Sequence, residues 1–507
     1  MRVASTLGVS LTGLKGDLVH IEADITNQTP RFVLIGLPDK ALGEAQLRVH
    51  NASANCAMPL PNRRITVNLT PASLPKHGSG FDVGIAIAAA ATGGGFDLHS
   101  VARTVHIGEL GLDGRLRPVP GVLPAVLAAA RAGVEHVVVP FANLDEARLV
   151  DGIHVHGAVS LADVARLHGA EVDDPALEPV TAGSRTAAAA PPPELGEVVG
   201  QREAVGAMLV AAAGGHHVLL SGPPGAGKTM LAARMSGILP PLDDAAALEV
   251  AAIRSLSGDR VQALSRIPPF EAPHHSASVA SLIGGGSGIV RPGAIARATH
   301  GVLFLDEAGE FPRSSLDALR QPLETGAITI HRAGVTAHFP ARFQLLLATN
   351  PCPCGRYGVA GAECTCPPMA VRRYQSRLSG PLLDRVDIQL GVQRVGIADL
   401  AGEETVTTDA ARTTVEAARA RATHRLRGTP WTLNAQVPGT WLRDGPRSLP
   451  AAVRRPLDTA LHRGAITLRG YDRVLRVAWS VADLAGHDAP DLHDIGRALF
   501  LKKGIAA

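Results

Sequence analysis

The chain has 507 residues, enough for two to four domains with separate cores, and five cysteines, four of which fall inside residues 352–366. That clustering excludes a secreted disulfide framework, whose bridges would be spread along the chain, and leads us to expect a protein of the reducing cytoplasm. No stretch offers about 18 uninterrupted apolar residues or a leader-like start, so no membrane partner is expected, and a formal charge of +3 permits a nucleic-acid partner without demanding one.

Residues 1–170 alternate strand-like runs ("FVLIGL", "RITVNL", "HVVVP") with Ala-rich helical stretches such as "VLPAVLAAARAG", which predicts an α/β domain. In residues 171–194, "EVDDPALEPVTAGSRTAAAAPPPE", periodic apolar patterning gives way to Pro, Ala and small polar residues, and the segment reads as a linker. A second α/β domain is predicted over 195–392. It opens with "HHVLLSGPPGAGKTMLAARM": an apolar strand, then Gly222, Pro223, Pro224, Gly225, Ala226, Gly227, Lys228 and Thr229 in the pattern G-x-x-x-x-G-K-T, then a helix. The glycines let backbone N–H groups curl around a phosphate, Lys228 reaches the β and γ oxygens, and the Thr229 hydroxyl holds magnesium, so ATP with magnesium is the expected ligand. Downstream, "GVLFLDEAGEF" is a buried strand ending in Asp306, placed to hold the magnesium water shell, and Glu307, placed to orient an attacking water. A third strand, "FQLLLATN", ends in Asn350, whose amide is placed to contact the γ-phosphate or that water. Residues 393–507 read as helical, with Val474, Val477, Val481 and Leu484 along one face.

Cys352, Cys354, Cys364 and Cys366 form an insertion just after Asn350. Two C-x-C pairs around a short Gly-rich loop can converge four thiolates into the tetrahedral set of a structural zinc, with disulfide or redox pairing and unliganded thiols as alternatives. Cys56, alone in the first domain, reads as a small buried apolar residue.

Phosphate loop, acidic pair, strand-end asparagine and helical C-terminal region follow one another as in AAA+ ATPases. The stretches "PHHSASVASLIGGG", "RPGAIARATHGVLFLDE", "PCPCG" and "SGPLLDRVD" resemble more closely the magnesium-chelatase-like ComM/YifB proteins, and the similarity runs almost end to end apart from the linker. This resemblance implies a hexameric AAA+ ATPase acting as a branch-migration helicase on single-stranded or branched DNA, with Arg385 of "SGPLLDRVDI" reaching the γ-phosphate held by a neighbouring subunit. "ITLRGYDRVLRVA" resembles the sensor-two region, making Arg469 the first candidate and Arg476 the second; where the family shows Ala-Arg-Thr, this chain has Ala478, Trp479 and Ser480. "GAITIHRAGVTAHFP" reads as two short strands around a Gly-containing turn, in the place where this clade projects a hairpin into its pore, with His331 and Arg332 near the tip. "EAPHHSASVASLIGGGSGIVRPG" resembles the clade's second pore insertion, and its adjacent His274 and His275 lack metal-ligand spacing.

In the first domain, "PKHGSGFDVGIAIAAA" and "GELGLDGRLRPVPGVLPAVLAAARAG" resemble the Lon-type protease domain. The segment matching its nucleophile loop runs through Phe81 and Asp82, and Pro124, Ala125 and Val126 occupy the helix that would carry the catalytic lysine. Ser79 and Lys76 lie nearby in sequence, but nothing pairs them as nucleophile and base. The expectation is a Lon-like fold without peptidase activity. An ATP-dependent protease is disfavoured for that reason, and a chelatase-type motor that remodels a protein partner is the alternative to a DNA translocase.

Overall fold

The structure, a computed structural model, describes residues 3–36, 40–76, 78–173, 177–180, 191–286, 290–332, 335–359, 363–396 and 405–503. Much of the segment expected to be a linker, 174–176 and 181–190, lies outside the described residues.

The N-terminal domain is built on a long antiparallel ladder that the sequence reading did not single out. Ala4–Thr12 pairs with Lys15–Thr26, from Ala4 opposite Ala23 to Thr12 opposite Lys15. Alternate residues of Ala4–Thr12 are buried, as expected of a strand with one face on a core. The ladder occupies the middle of a seven-stranded mixed sheet, whose order is Arg31–Ile35, Arg64–Thr70, Lys15–Thr26, Ala4–Thr12, Thr104–His106, His136–Pro140, His154–Ala158. Three of these strands carry the runs picked out above. The helix Asp82–Ala91, small and apolar nearly all round, is buried at nine of its ten positions, so it forms the centre of the domain rather than its surface. Its Asp82 is paired with Arg48 at 2.7 Å.

The second domain holds five parallel strands in the order Phe270–Glu271, Val302–Leu305, Gln344–Thr349, Val218–Ser221, Ile388–Gly391. Val302–Leu305 and Gln344–Thr349 are buried throughout, which is why they read as continuous apolar runs rather than alternating ones. The strands Ala327–Arg332 and Val335–Pro340 form the predicted hairpin.

The C-terminal region is helical as predicted. Thr467 caps the helix Leu468–Ala485 and Gly486 ends it in the left-handed conformation. Val474 and Val477 are buried, and Val481 and Leu484 pack against the same core, which runs continuously into the five-stranded sheet. Trp479 is buried with the Arg425 guanidinium 4.3 Å from its ring centre.

Among the described residues, the contacts that join the N-terminal domain to the second include two packed seams and an ion pair, Arg260 with Asp145 at 3.4 Å. The helix Asp244–Ser257 lays Ala251 and Ala252 into the apolar cluster around Val122–Arg131, and the Leu123 N–H donates to the Ser255 hydroxyl at 3.3 Å. The turn after Ala4–Thr12 meets the base of the 327–340 hairpin: Gly13 bridges His338, and Leu11 and Leu14 pack on the cluster holding Ile328, Ile330 and Phe339. Among the described residues no helix is long and apolar enough to cross a membrane.

Candidate nucleotide site

The site is assembled at the C-terminal ends of the parallel strands, where open α/β sheets leave a crevice. Val218–Ser221 feeds the phosphate loop, and the loop feeds the helix Lys228–Ile238. Gly225 and Gly227 have φ of +76° and +88°, and a Cβ on Gly222 would lie 2.1 Å from the Val392 carbonyl, so the loop's path requires glycine at those points. Lys228 is 8% exposed, and its ammonium donates to the carbonyls of Gly222 (2.7 Å) and Pro223 (2.9 Å) and to Asn350 Oδ1 (3.2 Å). Burial lowers its pKa, against the pull of Asp306 and Glu307 in the other direction.

The Thr229 hydroxyl donates to Asp306 Oδ2 at 2.6 Å, bringing together the two side chains expected to hold magnesium. Glu307 follows in the left-handed region, φ +50° and ψ +44°, an uncommon conformation for a residue with a side chain and one often found at functional positions. Its Oε2 lies 3.4 Å from His275 Nδ1. Phosphate loop, acidic pair and Asn350 line one cavity of about 440 Å³.

Arg385 is elsewhere. It precedes the N-terminal end of Ile388–Gly391, donates to the Pro381 carbonyl at 2.5 Å and pairs with Glu324. With Arg469, Arg473 and Arg476 it lines a second cavity of about 260 Å³, which also includes His217, the residue preceding Val218–Ser221. Burial, then Arg320, Arg473 and Arg469, lower the pKa of Arg385, the signature of crowded cations. Arg469 is 77% exposed and 3.6 Å from Asp384; all three arginine candidates, Arg385, Arg469 and Arg476, line this cavity and not the one around the phosphate loop of their own chain. Arg476 donates to the Val437 carbonyl at 2.7 Å.

Arg473 escaped the sequence reading. It donates to the Arg385 carbonyl at 3.0 Å and pairs with buried Asp387. Burial pushes the Asp387 carboxyl up, but Arg473 and His216 outweigh it and hold the group well below the usual carboxylate range. The spacing of 469, 473 and 476 along one helix face could have revealed it. No sequence signal announced His275, whose role depends on a contact with a residue 32 positions away.

The four cysteines converge. Their ligand atoms lie within 4.8 Å of one another, with Sγ separations of 3.3 Å (Cys352–Cys354), 3.6 Å (Cys354–Cys364) and 3.7 Å (Cys352–Cys364). A disulfide needs about 2.05 Å, and all four are free thiols. Zinc–sulfur bonds of about 2.3 Å at tetrahedral angles put sulfurs ~3.8 Å apart, near the separations seen here. The backbone N–H of Arg356 and the Cys352 thiol bring the Cys354 thiol down to about 6. Cys56 is buried in the N-terminal core, as expected.

In the Lon-like segment Ser79 and Lys76 are each bonded to other groups. Ser79 donates to Glu109, while the ammonium of buried Lys76 donates to the carbonyls of Pro71 (2.7 Å) and Leu74 (3.1 Å). Pro124, Ala125 and Val126 are buried in their helix.

Three family models match in succession: "Subunit ChlI of Mg-chelatase" over residues 21–143, "Magnesium chelatase, subunit ChlI" over 194–400, and "Magnesium chelatase, subunit ChlI C-terminal" over 405–502. The competence protein ComM of Haemophilus influenzae is 40% identical over 96% of this chain and 94% of its own length. The chain belongs to the magnesium-chelatase-like family of ComM and YifB. YifB of Escherichia coli is 37% identical over 94% of this chain and 92% of its own, and an uncharacterised protein, Rv2897c of Mycobacterium tuberculosis, is 47% identical over 99% of both. A stretch covering 36% of this ComM/YifB-family chain is 33% identical to part of the Lon protease of Mycolicibacterium smegmatis. An AAA+ ATPase module of the magnesium-chelatase type, with an N-terminal Lon-like α/β domain and C-terminal helices, is therefore the architecture of the chain.

Proposed function

We propose that the protein is a hexameric ATP-driven motor that moves along single-stranded or branched DNA, promoting branch migration or strand displacement. The observation that carries the oligomeric part is the division of labour across the five-stranded sheet. The nucleotide cavity sits at the C-terminal ends of the strands, while Arg385 and Arg469 sit at the opposite ends. One subunit's arginines would complete the next subunit's pocket, a head-to-tail contact that closes into a ring.

Within each pocket, Lys228 would exchange its carbonyl and Asn350 partners for phosphate oxygens, and Thr229 and Asp306 would hold magnesium. Magnesium, when bound, neutralises charge on the β and γ oxygens. Glu307 would orient the attacking water, Asn350 would report on the γ-phosphate, and the neighbour's Arg385 would stabilise charge developing there. Cys352, Cys354, Cys364 and Cys366 would hold a structural zinc, the reading their sulfur separations support.

DNA is the proposed track because a relative of 40% identity carries a competence protein's name and because the first strand of the 327–340 hairpin ends at Arg332, a residue type that pairs with phosphates. The test is the ATPase rate with and without single-stranded and forked DNA at low salt. We expect DNA to speed hydrolysis without strong sequence preference, and Arg332→Ala to leave the basal rate intact while reducing stimulation. Absence of DNA binding and of any rate change would favour the alternative, a chelatase-type motor acting on a protein partner, a reading in keeping with the match to a magnesium chelatase subunit.

A further inference from the structure

We infer that the cysteine knuckle forms the rear wall of the phosphate loop, and that Gly355 and Cys352 are positioning residues for nucleotide binding. The inference deepens the zinc reading above and rests on it for the part played by metal.

The contact is direct. Gly355, in the turn between Cys354 and Arg356, has φ +73°, and a Cβ built on it would lie 2.4 Å from Pro224 Cδ and 2.7 Å from Pro224 Cγ. Pro224 lies within the phosphate loop and lines the nucleotide cavity. The turn is closed by the Gly355 N–H donating to the Cys352 carbonyl at 2.9 Å, and Cys352, fully buried, accepts the Tyr357 N–H on its sulfur at 3.3 Å. Two residues upstream, Asn350 Oδ1 takes the Lys228 ammonium, and the Gly222 N–H donates to the Thr349 carbonyl at 3.2 Å. The knuckle therefore touches the cradle at Pro224 and continues from it covalently at Asn350.

Four sulfurs drawn together fix the Cys354–Arg356 turn, and that turn leaves Pro224 no room to retreat. With the metal gone, the turn loses the bonds that hold it closed, and the loop can widen away from phosphate oxygens that need its N–H groups within hydrogen-bond reach. A misplacement of this kind weakens binding between about tenfold and a hundredfold.

The experiment uses the full-length chain and a fluorescent ADP analogue, read beside zinc content by elemental analysis and thermal melting. Chelator-treated protein should lose zinc and bind the analogue at least about tenfold more weakly, with affinity returning when zinc is restored. Gly355→Ala should retain its zinc yet bind the analogue weakly, with KM for ATP rising more than kcat falls. Wild-type affinity in zinc-depleted protein, or in folded Gly355→Ala, would overturn the inference and leave the knuckle a local staple. If the purified protein carries no zinc, the zinc reading fails and Gly355→Ala decides the contact by itself. Should Gly355→Ala fail to fold, the chelation-and-return series on the unmodified chain decides.

Discussion

Arg385 offers the sharpest test of how the ATPase is assembled. The phosphate loop follows Val218–Ser221 and the arginine cavity begins at His217, so at least the four residues of that strand, roughly 13 Å of extended chain, separate the two cavities. That span is longer than an arginine side chain, and Arg385 is held in place by Glu324 and Pro381. On the proposed ring, each working site would need an intact loop from one subunit and an intact Arg385 from the next. Arg385→Ala alone should lower kcat by about a thousandfold or more, the scale of a lost arginine finger. Lys228→Ala alone should abolish turnover by removing the phosphate-binding charge. In a random equal mixture, half of the subunits offer a good loop and half of their neighbours a good finger, so about one quarter of the interfaces should work, whatever the ring size. Coupled-assay ATPase rates across mixing ratios should trace f(1−f), where f is the fraction of either variant, peaking at equal parts. Rings verified as mixed that show no recovery, or an Arg385→Ala protein with ordinary turnover, would refute the reasoning.

Glu307→Gln should bind ATP with little loss while hydrolysis falls by about a hundredfold or more, which filter binding and phosphate release measure separately. Elemental analysis of protein prepared without chelators should find about one zinc per chain, falling to none in a Cys364→Ser, Cys366→Ser double variant. Glu146, buried at the junction of the domains between Asn143 (2.5 Å) and Ser255, has its pKa raised by burial to about 7. Since the folded-state value lies above the unfolded one, its stabilising share is complete below pH ~4.5 and is lost as pH rises through about 7, up to about 3 kcal/mol. Urea denaturation at pH 5.5 and 8 should show that slope, and Glu146→Gln should flatten it.

The nucleotide cavity was legible because its residues are sequence neighbours of apolar strands: a run such as "VLFL" places Asp306 and Glu307 at a strand end by its apolar pattern alone. The helical lid was legible from its period, as Val474 and Val477 show. Relations between distant segments were not. The ladder Ala4–Thr12 with Lys15–Thr26 mixes Ser, Thr and Gly with apolar residues, and only its pairing reveals a central position. Arg473 and Asp387 gain their meaning from burial against each other, and His275 from reaching Glu307 across 32 residues. Arg469 could be placed on its helix from sequence, but which pocket it faces depends on how the lid docks.

The bridge between Gly13 and His338 limits how far this architecture can be treated as interchangeable parts. A Cβ at Gly13 would stand 2.6 Å from the His338 carbonyl, and the position has φ +67°, so the turn at 12–15 and the hairpin base are shaped as a matched pair. Leu11 and Leu14 are seated beside the hairpin's own apolar residues. A chimaera that grafts a relative's hairpin onto this chain would have to bring that relative's first turn with it. For the same reason, removing the N-terminal domain strips the hairpin of one of its flanks, and a truncated enzyme would test a different machine from the intact one.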